Sequence, residues 1–391
     1  MKLIRFVVLI IYIALLTLYL QSAQETVMLQ AFEDIYISSR LILSLFVISL
    51  IVCFIFYRRS PYLKICKVFI AFCIIVIIIS YIHTVFTPFS SNINYINIVL
   101  PLLFFIIFYR SKLFSSYWLT VISISLMSVW LLLNYCQAYN TLSTIISYKT
   151  GTSASYFLMY LLPLLLLLRN NWFQYISMAI IFILVASSFK RGGIISLTIS
   201  IVVYSYIRNI ILSRSNKFLG VLSIILVVLS ISVLFVRYDS TNDSILTERL
   251  KNIEEDQGSG RIEIWKFTVD MIMSSTIDEV ILGHGFNSVQ NDSNLKMSAH
   301  NDFLEVLYDF GLLAFVFYIM LHFTLLAYIY RLIKRKSYYA PNMAMSYVLF
   351  LGASLVAHVI IYIPYLSIFA IVWGYIMRCS ENEYSSQKYL G

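Results

Sequence analysis

Charge is scarce in this chain of 391 residues: Asp, Glu, Lys and Arg make up 12% of it, against about 25% in a soluble domain. That shortage excludes a cytosolic enzyme and a disordered regulator. Cysteine is also rare. Cys53, Cys66, Cys73 and Cys379 fall in or near apolar runs and Cys136 stands alone, so no spacing suggests a disulfide framework or a metal site. No Asp-x-Asp pair occurs and no two His lie four residues apart, which argues against a divalent-metal mechanism. No metal and no cofactor is expected. What is abundant is apolar: 60% of residues are hydrophobic, with a mean hydropathy of +0.85. The formal charge of +9 normally raises nucleic acid as a partner. Here the basic residues punctuate long apolar runs, so membrane lipids are the expected contact and nucleic acid is not.

A helix crossing the hydrocarbon needs roughly 20 apolar residues, and about 17 suffice. Twelve segments qualify as candidates. The first six are Leu3–Leu20, Leu41–Tyr57, Val68–Phe86, Tyr95–Tyr109, Trp118–Tyr135 and Phe157–Leu168. The others are Trp172–Ser187, Gly192–Ile207, Phe218–Val236, Phe303–Tyr330, Ala344–Ile361 and Pro364–Met377. The sixth and the last are short and carry Pro163 and Pro364, so tilted, broken or re-entrant helices are expected there. The fold class is therefore all-α and polytopic: residues 1–236 a first bundle of about nine spans, 237–302 a large, partly helical outer loop, and 303–391 about three further spans. Placing both termini in the cytoplasm puts 18 of the 28 Lys and Arg on the inner side, and only Arg40, Lys149, Lys190 and Arg191 on short outer loops. That asymmetry is the one cytoplasmic loops retain. The first span follows Lys2 and Arg5 but is too long for a signal-peptide core, so it reads as an uncleaved anchor.

Between Arg237 and Asp302 the composition inverts. These 66 residues hold 12 of the 19 acids and six bases, a net −6, which leaves +15 for the rest. So long a polar insertion is functional or disordered, and its pattern argues for order. Ser259 is a plausible helix cap. The run after it places Ile262, Trp265, Val269 and Ile272 on one helical face, as in a helix lying on a membrane or on the spans.

Three outer features stand out. Lys190-Arg191-Gly192-Gly193 puts two cations on a very short connection at a helix start, where the dipole disfavours them. An anion at the glycine amides explains the placement; snorkelling to headgroups is the competing reading. Arg261 follows Gly258-Ser259-Gly260, and glycine allows close approach to a ligand, although Glu254, Glu255 and Asp256 offer ordinary ion pairs. His300 precedes Asn301 and Asp302 at the mouth of a span, where a helix N-terminus favours the neutral ring and where Asn301 or Asp302 would cap the helix or orient the ring. His83, His284, His322 and His358 compete. His322 and His358 lie within expected spans, and His284, in a glycine turn, is the closest rival. A flippase or transporter of lipid-linked sugars is disfavoured because ionisable residues avoid the spans and no internal repeat is found. A structural or sensor protein would leave Arg191 unexplained.

Taken in order, Lys190-Arg191-Gly192-Gly193, Ser259-Gly260-Arg261 with Trp265, Leu282-Gly283-His284-Gly285-Phe286, and His300-Asn301-x-x-Leu304 with Gly311-Leu312 resemble the bacterial O-antigen polymerase and O-antigen ligase family. The resemblance is strongest from about Ser187 to Phe315 and rests on the order of the motifs. It implies a GT-C-like membrane fold and a metal-independent glycosyltransferase, acting at the periplasmic face on undecaprenyl-pyrophosphate-linked sugars. By the same resemblance Arg191 and Arg261, with Lys190, would bind the pyrophosphate and His300 would be the base. Gly192, Gly193, Asn301, Trp265 and His284 would support them. A Ser before the Arg is more usual in the family than Lys190. A polymerase extending a lipid-linked glycan, with a chain-length regulator as partner, is the leading expectation. A ligase passing polymer to lipid A–core shares the same donor.

Overall fold

A computed structural model describes residues 2–29, 37–58, 63–85, 93–145, 154–188, 191–212, 225, 261–293 and 297–388. Among the described residues, eight α-helices are delimited before the large loop: α1 (Lys2–Leu29), α2 (Ser39–Phe56), α3 (Lys64–Val85), α4 (Ile93–Arg110), α5 (Tyr117–Ile145), α6 (Ser155–Leu165), α7 (Asn171–Ser187) and α8 (Arg191–Leu212). Three follow within it, α9 (Arg261–Ser274), α10 (Ile277–Leu282) and α11 (Ser288–Asp292). Then come α12 (Asp302–Lys334), α13 (Ala340–Val356) and α14 (Ile363–Lys388). Seven described helices are long and apolar enough to cross a membrane, and four shorter apolar ones accompany them. The protein is an all-α polytopic membrane protein. Eleven of the twelve expected spans fall on these helices; the ninth, 218–236, lies outside the described residues apart from Ile225.

Two expected lengths are corrected. The last helix is not short. It runs 26 residues, because Pro364 sits in its first turn, where no amide bond is lost, and because polar partners carry its far end. There the buried Arg378 donates to the Ser111 carbonyl and Glu381 meets Arg110 at 3.1 Å. The tenth span is not one helix. Gly311 has φ 71° and ψ −179°, which splits α12 into a short leading arm, 302–310, and a 312–334 arm long enough to cross the membrane. The sixth is as short as expected, with 11 residues, all buried; the Pro163 carbonyl accepts from Asn342 Nδ2 at 3.0 Å.

The hydrophobic core lies where α14 packs along α4, α13 along α8 and α12 along α3. In lipid, close helix contact depends on small residues rather than on the hydrophobic effect. Gly374 illustrates this. A methyl there would stand 2.8 Å from the Phe105 carbonyl oxygen and 3.3 Å from the Tyr109 nitrogen. Nearby, Trp373 packs edge-on against Phe69 and Phe350 and donates to Ser346 Oγ at 3.2 Å. Gly374→Ala adds helix propensity worth about 1 kcal/mol, but backbone cannot yield as a side chain does, and overpacking costs about 1–3 kcal/mol. The variant is expected to lower the thermal midpoint in detergent; an unchanged or raised midpoint would show that α4 and α14 are not in such contact.

Candidate functional site

The candidate site lies where the described part of the large loop meets the starts of α8 and α12 and the link between α13 and α14. The loop is locked to α12 through backbone. Gly283 and Gly311 approach so closely that a Cβ on either would strike the other's strand, and both have positive φ. The amides of His284 and Gly285 donate to the carbonyls of Tyr308 and Asp309 at 3.1 and 2.7 Å. Asp309, fully buried, accepts from the Asn287 and Val289 amides at 2.8 and 2.9 Å. Thr276 and Glu279 form a capping box on α10, and the Thr276 bonds hold the Glu279 carboxyl below the usual carboxylate range.

The face expected to be apolar on α9 divides: Trp265 and Ile272 turn toward the protein, and Ile262 and Val269 turn outward. Ile262 and Val269 are exposed, whereas Ile264 and Thr268 are buried. Ile264 packs with Val289, Ala299 and Tyr308, and Thr268 satisfies its hydroxyl on the Ile264 carbonyl, so a polar residue tolerates the inner face. Trp265 still points inward: its indole N–H donates to the Ala299 carbonyl at 2.9 Å. That bond fixes α9, and Arg261 at its start, against the residue preceding His300.

His300 sits at φ 51°, a conformation uncommon for any residue but Gly and tolerated by few others. Asn301 caps α12, accepting from the Phe303 and Leu304 amides. Glu305 reaches back to the His300 amide at 3.1 Å. Asp302 neither caps nor touches the ring. It is buried, and its Oδ1 accepts from the Val359 and Ile360 amides at 2.9 and 3.2 Å. That clamp anchors the α13–α14 link, and with it a residue the sequence placed inside a span: His358. Its ring stacks on that of His300, centroids 5.0 Å apart and 24° between planes, and its Nδ1 lies 3.3 Å from Ser298 Oγ.

Arg191 opens α8, at the end of the helix where an anion would meet the dipole. Beside it, a methyl on Gly192 would contact Val356 Cγ2 at 3.1 Å and the Tyr156 hydroxyl at 3.6 Å. The start of α8 thus packs against Tyr156 and Val356, and Val356 leads two residues on to His358. Gly193 lies buried in the first turn of α8. Lys190, Ser259 and Glu254 to Asp256 lie outside the described residues.

The rival histidines are engaged otherwise. His284 stacks on Tyr308 at 4.0 Å, its Nδ1 lies 3.1 Å from the Tyr308 carbonyl and its Nε2 meets Ser275 and Glu279, so it supports the loop. His83 packs on Gly285. His322 sits among Phe303, Tyr318, Tyr347 and Phe350 with neither ring nitrogen bonded. Among the described residues, no group of three or more His, Cys, Asp or Glu side chains is arranged to hold a cation.

A protein-family model described as O-antigen ligase matches residues 176–319. Over this stretch, a little more than a third of its length, the chain is similar to the O-antigen ligase family. The matched stretch begins in α7 and ends just beyond the Gly311 break, so it takes in Arg191, Arg261 and His300 and stops short of His358. No curated protein matches the chain. The match is what links this multi-pass membrane protein to the polymerase/ligase type of function.

Proposed function

We propose that the protein is an O-antigen polymerase of the bacterial inner membrane. In this reading it transfers a growing glycan from an undecaprenyl-pyrophosphate donor to a sugar hydroxyl of a lipid-linked repeat unit, at the periplasmic face and without a metal. The observation that carries the reading is that α9 is tied through Trp265 to the backbone beside His300, whose ring stacks on His358, two residues beyond the Val356 that the start of α8 packs against.

The reaction needs charge stabilisation and one proton acceptor. The acceptor hydroxyl gives its proton to the neutral His300 ring as its oxygen bonds to the donor's anomeric carbon. The bond from that carbon to the pyrophosphate breaks, and its electron pair leaves with the lipid diphosphate. Arg191 and Arg261, with Lys190, hold the departing charge; preorganised cations in a low-dielectric site act strongly, and Arg forks bind two oxygens at once. His358, stacked on His300, holds that ring in place as it takes up the proton. His358→Ala is therefore expected to lower kcat with KM for the acceptor little changed; a rise in KM alone would assign His358 to substrate binding.

Arg261→Lys keeps the charge but loses the fork. Transfer should fall about tenfold or more, read as shortened polymer in cells and lower turnover in vitro; wild-type turnover would argue against bidentate diphosphate binding. The family description favours a second reading, the ligase that passes polymer to lipid A–core. Lipopolysaccharide from a deletion strain separates the two. Core bearing a single repeat supports the polymerase, and bare core with polymer stranded on the carrier lipid supports the ligase.

A further inference from the structure

Arg208 lies 17 residues beyond Arg191 on α8, roughly 25 Å along the helix and at the end that the charge count assigns to the cytoplasm. It is 5% exposed. Its guanidinium donates to three neutral oxygens, those of Gln174, Tyr204 and Asn171, and its Nε has no partner. Among the described residues no carboxylate stands within ion-pair distance of it. Burying an uncompensated cation is costly, and this chain compensates one elsewhere at the same end, where the equally buried Arg110 meets Glu381 at 3.1 Å.

Arg208 also lines an open pocket with Tyr204, Ile211, Tyr338 and Pro341. Tyr338 ties a second cation to the same corner. Its hydroxyl receives Gln174 Nε2 at 3.3 Å, and the Arg169 guanidinium lies 4.7 Å from its ring while donating to the Tyr339 hydroxyl. Glu383, which reaches this corner, is engaged by the Ser337 hydroxyl and the Tyr338 amide.

We infer that the pocket at Arg208 and Tyr338 binds a phosphate-bearing anion from the cytoplasmic leaflet. A headgroup phosphate supplies the missing charge, accepts from a planar Arg fork and sits where anionic lipids concentrate. Free phosphate offers the same chemistry. The inference does not rest on the proposed transferase reaction, and its test reads binding rather than turnover.

Purified full-length protein in detergent is melted with added dioleoylphosphatidylglycerol, dioleoylphosphatidylcholine or inorganic phosphate. Wild type should gain thermal midpoint with phosphatidylglycerol and not with phosphatidylcholine; an equal gain with inorganic phosphate identifies free phosphate as the source. Arg208→Met should bind the anion about tenfold more weakly and lose most of the shift. Ile211→Trp fills the pocket while the Arg208 guanidinium is retained and should lose it too, which decides the matter if the Met variant does not fold. A wild-type shift retained in either variant, an equal response to both lipids, or no response to any of the three would overturn the inference.

Discussion

His300→Ala and His300→Asn are both expected to abolish polymer in cells while the protein stays in the membrane at wild-type abundance. The two variants separate chemistry from folding. At φ 51° the backbone is one that Asn adopts more readily than most residues, so the Asn variant keeps the geometry and removes only the basic ring. The amide bond from His300 to Glu305 is made by backbone and survives both changes. General-base catalysis typically contributes about 10²–10⁴-fold, enough to remove a polymer ladder altogether. Wild-type chain lengths in the Asn variant, with its membrane level confirmed by immunoblot, would remove His300 from the mechanism.

Gly311→Ala is expected to be severely damaging for a single added methyl. The backbone at φ 71°, ψ −179° belongs to a region essentially restricted to glycine, and a side chain there costs about 1–3 kcal/mol in strain alone. A Cβ would also strike the Ile281 carbonyl and the Gly283 amide, which are backbone atoms and cannot rotate away. Against a total stability of about 5–15 kcal/mol the sum is severe. The loop 282–286 must undock from α12, taking with it the His284 and Asp309 contacts that order α10 and α11. A lower thermal midpoint and loss of polymer together are the expected result. Gly283→Ala should match it, because the two glycines face one another. Normal melting of Gly311→Ala would mean that loop and helix are not joined there.

The sequence made local features legible and left tertiary ones hidden. Apolar run length located every described membrane helix, and the order of short motifs from Ser187 to Phe315 pointed to the stretch, 176–319, that the family match also covers. Asn301 was readable as a cap because the signal is local: one side chain, two amides, a helix start. Pro364 misled because proline marks a stop inside a helix but fits the first turn of one. On α9 the inward place of Thr268 was not legible, because it hides its hydroxyl on its own helix. His358 was invisible for a different reason. It sits 58 positions from His300, inside an apolar run that reads as continuous helix, and only the Asp302 clamp on Val359 and Ile360 turns the link so that the two rings meet. No periodicity encodes such a contact.

The most direct test of the central claim is transfer in vitro. Purified protein is given a defined undecaprenyl-pyrophosphate-linked oligosaccharide and a lipid-linked acceptor in excess chelator, and wild type is compared with His300→Asn. Glycan extension by wild type in chelator, with at least a hundredfold slower extension by the variant, is the predicted outcome. Equal rates in the two proteins, or extension only when a divalent cation is restored, would contradict it.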